Sequence, residues 1–127
     1  MERSVQIFAA VNLLIMGLSH VFMPRAWVEF FILLRGKGQA GAFVNGFLSL
    51  WFGSIIVAFH NVWSGPATVL TVLGWLQVLK ALLIFAVPGY GLKGLSLVSL
   101  EKTGRFVAAG VVLLALGLFM VWLVATG

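Results

Sequence analysis

Five polar side chains lie within apolar stretches of this sequence, and their chemistry suits binding: Lys80, Gln77, His20, Asn12 and Asn45. An ammonium such as that of Lys80 binds an anionic head group, a small anion or a proton. The imidazole of His20 hydrogen-bonds a carbonyl, as on a quinone, or transfers a proton. The three amides could hydrogen-bond a ligand or another helix. These five residues are the predicted ligand-binding set.

Each of these residues also has a purely structural interpretation. The long stem of Lys80, seven residues before the end of its apolar stretch, could carry the ammonium out to the lipid head groups. His20 could serve as an interfacial hydrogen-bonding residue, and Asn12 and Asn45 could join neighbouring helices. The side on which Lys80 lies therefore decides between the two interpretations. A position facing lipid favours structure, and a position inside the bundle favours a site.

The sequence contains no complete catalytic, metal or cofactor motif. It has no cysteine, which excludes thiolate chemistry and cysteine-ligated metals. No carboxylate lies inside an apolar stretch, and His20 and His60 fall at opposite ends of the predicted spans, where they cannot bind one haem together. We therefore expect a protein without enzymatic activity, without a metal site and without a cofactor, unless a quinone or lipid is bound.

The elements that must position these residues are four apolar stretches of about 20 residues, in a chain that is 62% hydrophobic. A helix of roughly 20 apolar residues crosses the ~30 Å core of a bilayer. The first stretch continues to Pro24 without a small-residue cleavage site, so we expect it to be retained as a span. The sequence thus predicts one all-α transmembrane domain over residues 1–127. The stretches are Val5–Met23, Ala40–Phe59, Ala67–Val87 and Phe106–Ala125.

Lysine and arginine are concentrated on one predicted side of the membrane. The link at 24–39 carries Arg25, Arg35 and Lys37, and the link at 88–104 carries Lys93 and Lys102 with Arg105 at its edge. The other side carries only Arg3, and the 60–66 link has no lysine or arginine. The positive-inside rule therefore predicts cytoplasmic links at 24–39 and 88–104, with both termini outside, as in a bacterial inner-membrane protein. Both links are apolar enough to form short interfacial segments after helices 1 and 3. Because the basic residues lie singly beside apolar stretches, they favour membrane lipids and not nucleic acid as partners.

Glycine and proline recur at a fixed spacing along the chain. An offset of 64 residues places Pro24 on Pro88, Gly46 on Gly110 and Gly53 on Gly117. We therefore predict two tandem helical hairpins, with repeat halves at about 1–64 and 65–127 and a pseudo-twofold axis along the membrane normal.

Small residues mark the predicted helix-packing faces of the second and fourth spans. Their spacing of three, four or seven residues places them on one side of each helix, where backbones can approach closely. Such faces serve contacts within the chain, between copies of it, or with another subunit. The predicted packing residues are Gly46, Ser49, Gly53, Gly110 and Gly117.

The segment Gly17–Trp27 resembles the G-x-x-H-x-x-x-P segment that closes the first helix of small four-helix DoxX-like membrane proteins. Together with Gly46 and Gly53, it is also similar to the YjeT-type two-helix hairpin, of which this chain would be a tandem copy. The resemblance covers mainly residues 12–59 and implies the four-helix fold. Some DoxX relatives are linked to quinone chemistry, but this chain has no redox-active residue of its own. Its second half also departs from the pattern, with Ile84 where a repeated histidine would stand.

Two functions follow as expectations. The first is an accessory or assembly subunit of a larger membrane complex, or a homo-oligomer, whose small-residue faces pack on other subunits or on copies of the chain. The alternative is a carrier or binder of a lipid, a quinone or a small anion that uses Lys80 and its polar neighbours.

Overall fold

A computed structural model describes residues 2–87 and 89–127 of the chain. Four helices are long and apolar enough to cross a membrane, as predicted, and their ends agree with the predicted stretches to within three residues. Two shorter helices and one 3₁₀ turn, Leu100–Lys102, lie between them. In chain order the helices are α1 (Glu2–Phe22), α2 (Pro24–Gly36), α3 (Gln39–Phe59), α4 (Thr68–Ala86), α5 (Tyr90–Ser96) and α6 (Gly104–Thr126).

The predicted interfacial segments correspond to α2 and to α5 with its 3₁₀ turn. Helix α2 begins at Pro24, where the missing backbone donor costs nothing because the first N–H groups of a helix have no partner within it. It ends at a turn in which Gly38 has φ +64°, a conformation that favours glycine. Arg35 then donates to the carbonyl of Val98 at 2.9 Å, which ties α2 to the segment after α5. Pro88, the predicted counterpart of Pro24, lies outside the described residues.

The closest helix pairs are α1 with α6 and α3 with α4. The predicted hairpins would instead pair α1 with α3 and α4 with α6, and these helices make much less contact. Glycine explains the observed pairing. An added Cβ at Gly110 would lie 2.8 Å from the carbonyl oxygen of Gly17, and one at Gly53 would lie 2.8 Å from that of Gly74. The backbones therefore approach too closely in both pairs for any side chain.

Residues 64 apart make equivalent contacts in the two pairs. An added Cβ at Gly46 would meet Ile84 and Phe85, and one at Gly110 would meet His20 and Val21. Ile84 and Phe85 stand 64 positions after His20 and Val21, so the two glycines contact equivalent residues.

The same relation holds about two turns further along the helices. An added Cβ at Gly53 would lie 2.9 Å from the backbone nitrogen of Val78, and one at Gly117 would lie 3.1 Å from that of Leu14. The two helix pairs therefore have matching contacts, with the first long helix of each half packed on the second long helix of the other half.

The buried apolar residues form two clusters. The larger one joins all four long helices towards the end of the bundle that carries residues 60–67, and it includes Val5, Ile56, Leu70 and Met120. The smaller one lies at the opposite end, which we call the short-helix end because α2 and α5 lie there. It consists of Leu34, Ala42, Ile84 and Leu95. Both short helices therefore dock on the long helices through buried side chains.

A buried polar network closes the end at residues 60–67. His60 is fully buried, and the hydroxyl of Thr71 lies 3.1 Å from its Nδ1. That hydroxyl also donates to the His60 carbonyl and accepts from the backbone N–H of Val62. The side-chain amide of Gln6 lies 3.0 Å from Nε2 of His60. Both ring nitrogens are thus occupied, so His60 is a structural residue that joins α1 to the link before α4.

Candidate functional site

Three residues of the predicted ligand-binding set line one cleft at the short-helix end of the bundle. Lys80, His20 and Asn45 come from three different long helices and share a cavity of about 410 Å³. We call it the Lys80 cleft. Its other lining residues are Phe31, Gly94, Leu95, Val98, Arg105, Phe106 and Ala109.

The His20 ring is held rigidly in the cleft wall. Its Nδ1 lies 2.7 Å from the carbonyl oxygen of Met16, one turn earlier in α1. The ring stacks on Trp27, with 4.3 Å between centroids, and lies nearly parallel to Phe106 at 5.9 Å. The indole of Trp27 is itself fixed, because Nε1 donates to the hydroxyl of Ser19 at 2.8 Å. These contacts fix both the position and the rotation of the imidazole.

The bond to Met16 also determines which nitrogen of His20 serves a ligand. A carbonyl oxygen only accepts hydrogen bonds, so Nδ1 carries the proton, and in the neutral ring Nε2 is an acceptor. His20 is only 8% exposed, yet no buried side-chain nitrogen or oxygen in the described part of the chain lacks a partner. Nε2 has no hydrogen-bond partner among the described residues, so it is not fully enclosed, and His20 is a lining residue of the Lys80 cleft.

Two cations line the cleft without a balancing carboxylate. Lys80 and Arg105 both line the cleft and are both exposed, so Lys80 lies at the surface of the bundle and not in its interior. Its position alone therefore does not decide between a structural role and a site. Arg105 donates through Nη1 to the carbonyl of Leu97 at 3.4 Å, which leaves most of its donors for other partners. The only ion pair among the described residues, Arg25 with Glu29, is exposed on α2. The cleft therefore carries a net positive charge.

The cleft is lined by residues that occupy equivalent positions in the two halves of the chain. Phe31 and Leu95 are 64 residues apart and line it together, as do Asn45 and Ala109. Its shape therefore comes from both halves.

The polar groups of the cleft are not duplicated between the halves. The position equivalent to Lys80 is Met16, and the position equivalent to His20 is Ile84. One half supplies each polar group where the other supplies an apolar side chain, so the chemistry of the cleft is asymmetric although its walls are related.

The two remaining residues of the predicted set lie outside the cleft lining. Asn12 donates to the carbonyl of Phe8 in its own helix at 2.9 Å, so the expected bond from Asn12 to another helix is wrong. Gln77 is half-buried in the contact between α3 and α4, where its Cβ would lie 2.8 Å from a Cβ added at Gly53.

The predicted packing residues are all buried. Gly46, Gly53, Gly110 and Gly117 face other helices of the same chain, and Ser49 is 6% exposed. The stripes of small residues are therefore covered within the chain.

Sequence reasoning missed Arg105, Phe31 and Phe106 as cleft residues. Arg105 lies at the edge of the 88–104 link, where membrane topology alone explains a positive charge, and its sequence neighbours give no sign of the cavity. One signal was available for Phe31. The offset of 64 pairs it with Leu95, and apolar residues paired between two related halves are candidates for a shared wall.

No metal site accompanies the cleft. The described residues contain no group of three or more histidine, aspartate or glutamate side chains placed to hold a metal ion. Comparison of the chain with protein-family models, with curated proteins and with solved structures finds no match.

Proposed function

We propose that this protein binds an anionic amphiphile, such as an acidic membrane lipid, in the Lys80 cleft. The observation that carries the proposal is the pairing of two cations, Lys80 and Arg105, with a wall of phenylalanine, leucine and valine side chains and no acidic residue. Such a cleft offers a positive region for a head group and an apolar surface for acyl chains.

Electrostatics favours an anion over a neutral ligand. A charged lysine inside a membrane span costs at least a few kcal/mol near the bilayer centre. A bound anion offsets that cost, and hydrogen bonds between an ammonium or guanidinium and a phosphate are about twice as strong as neutral ones. A neutral quinone would leave both charges uncompensated. Of the three expected ligand classes, the charges therefore favour an acidic lipid or a small anion over a quinone. The apolar wall favours the lipid over the small anion.

The repeat supports the position of the site. We infer that residues 1–64 and 65–127 are parallel repeats, because contacts 64 residues apart are equivalent in the two closest helix pairs. In many transporters built from repeats, substrate sites lie where the repeats meet. The Lys80 cleft has that position, with Phe31 and Leu95 as related walls.

An accessory subunit is a weaker proposal once the packing is described. Its main sequence support was the set of small-residue faces, and Gly46, Gly53, Gly110 and Gly117 all face helices of the same chain. That feature therefore no longer favours a partner. We propose a non-enzymatic binder, and the resemblance to DoxX-like proteins supports only the proposed four-helix arrangement.

The proposed orientation places the short-helix end and the Lys80 cleft on the cytoplasmic side. Because the chain has no cysteine, single cysteines report sidedness directly. We expect Asn61→Cys and Thr126→Cys to react with a membrane-impermeant maleimide added to intact cells, and Lys37→Cys and Lys93→Cys to react only after permeabilisation. The reverse pattern would contradict the orientation and place the cleft at the outer leaflet.

Lipid binding is tested by native mass spectrometry of the protein in mild detergent. Phosphatidylglycerol and phosphatidylcholine with identical acyl chains are titrated in parallel. We expect phosphatidylglycerol to bind about tenfold more tightly, the factor that corresponds to roughly 1.4 kcal/mol of charge-assisted binding. Equal affinity for the two lipids would contradict the proposed function.

A further inference from the structure

The Lys80 cleft contains one polar group, the imidazole of His20, that has no role in the attraction between an anion and the two cations. His20 is more than nine-tenths buried, and its ring is fixed by Met16 and Trp27. Nε2 has no partner among the described residues, and because His20 lines the cleft we infer that this nitrogen faces it. The two nearby cations, Lys80 and Arg105, can only donate hydrogen bonds. Nε2 of the neutral ring can only accept one. An anion without a hydrogen would satisfy the cations and leave Nε2 unpaired.

We propose that the cleft selects an anionic head group that carries its own hydrogen-bond donor, with Nε2 of His20 as the acceptor. The ligand class is a phosphate-containing head group with a hydroxyl, either a glycerol hydroxyl on a phosphodiester or the P–OH of a monoester. Lys80 and Arg105 bind the phosphate oxygens, and His20 accepts from the hydroxyl. This inference rests on the proposed function, since it assigns the head group of the same site.

Burial makes the selection effective. An acceptor in a confined, mostly apolar site gains more from its hydrogen bond than one in water, and leaving it unpaired carries a desolvation cost. Asn45 does not replace it, because an amide offers both donors and an acceptor and therefore discriminates poorly. His20, held in one orientation by two contacts, is the residue of the cleft best suited to determine specificity.

Phosphatidylglycerol and phosphatidylmethanol with the same acyl chains provide the test. Both are phosphodiesters with one negative charge, and only phosphatidylglycerol has head-group hydroxyls. In native mass spectrometry of the wild-type protein we expect phosphatidylglycerol to bind about fivefold more tightly, which is the factor supplied by one net hydrogen bond. Equal affinities for these two lipids would overturn the inference without any variant.

The residue assignment is tested with His20→Phe, which keeps an aromatic ring against Trp27 and removes the acceptor. We expect the fivefold ratio to fall to about one, because only phosphatidylglycerol loses a hydrogen bond when the acceptor is removed. Asn12→Leu, a polar-to-apolar change outside the cleft, should keep the wild-type ratio. A ratio that persists in a folded His20→Phe protein would overturn the role of His20.

Two further comparisons separate the possible failures. If phosphatidylmethanol and phosphatidylglycerol both bind no better than phosphatidylcholine, the proposed function fails, and the selection inference fails with it. Soluble glycerol 3-phosphate is added as a competitor to distinguish a lipid from a free phosphate ester. We expect no displacement at equal concentration. Displacement would support the head-group chemistry and contradict the lipid as its source.

Discussion

We expect Lys80→Met to weaken phosphatidylglycerol binding by about tenfold or more, because the substitution removes the ammonium from the cleft and keeps a stem of similar length. The loss corresponds to about 1.5–3 kcal/mol for a hydrogen bond to a charged group. Native mass spectrometry of the variant measures it. The helical fold should be unaffected, since Lys80 has no hydrogen-bond or ion-pair partner among the described residues.

Lys93→Met is the matched control. Lys93 is exposed on α5 outside the cleft lining, so the variant has the same net charge as Lys80→Met and an intact site. We expect near wild-type affinity. Lys80→Arg should recover only part of the binding, because a planar guanidinium presents its donors in a different geometry from a compact ammonium. An equal loss in Lys80→Met and Lys93→Met would show that general surface charge, and not the cleft, attracts the lipid.

The second large effect concerns the backbone contact between α3 and α4. An added Cβ at Gly53 would lie 2.8 Å from the Gly74 carbonyl oxygen and 2.9 Å from the Val78 nitrogen. Both are backbone atoms, so the helices must separate to admit a methyl group. We expect Gly53→Ala to destabilise the protein by about 1–3 kcal/mol, the usual range for overpacking a tight contact. Thermal unfolding in detergent, followed by circular dichroism, measures the change.

Gly104→Ala controls for the intrinsic effect of the substitution. Nothing lies within 4 Å of an added Cβ at Gly104, the first residue of α6. Alanine there gains up to about 1 kcal/mol of helix propensity without a clash, so its unfolding temperature should stay equal or rise. If Gly53→Ala and Gly104→Ala unfolded at the same temperature, the close approach of α3 and α4 would be contradicted.

The four long helices were predictable because hydropathy and length alone determine them. The pairing of those helices was not. Each is apolar on nearly every side, so its sequence gives no single buried face, and the hairpin connectivity suggested neighbours along the chain. Gly17 and Gly74, which complete the close contacts with Gly110 and Gly53, carry the missing information. Their role becomes clear only when the facing helix is known.

The candidate site was predictable in part for a similar reason. Lys80, His20 and Asn45 were selected because polar groups are costly at membrane depth, and all three line one cleft. The energetic cost of a polar group at membrane depth does not indicate which residue is its hydrogen-bond partner. Asn12 finds it one turn earlier in its own helix. Arg105 could not be selected in this way, because a charge at the end of a helix does not carry the energetic cost of a charge at membrane depth.

Photocross-linking tests the central claim most directly, namely that an anionic lipid occupies the Lys80 cleft. A phosphatidylglycerol with a diazirine in one acyl chain is incorporated into bilayers with the protein, activated by light, and the adducts are mapped by peptide mass spectrometry. The account predicts adducts concentrated on the apolar cleft wall, at Phe31, Leu95 and Phe106, and competed by unlabelled phosphatidylglycerol. Adducts spread evenly over outward-facing residues such as Leu76 and Leu118, without competition, would contradict it.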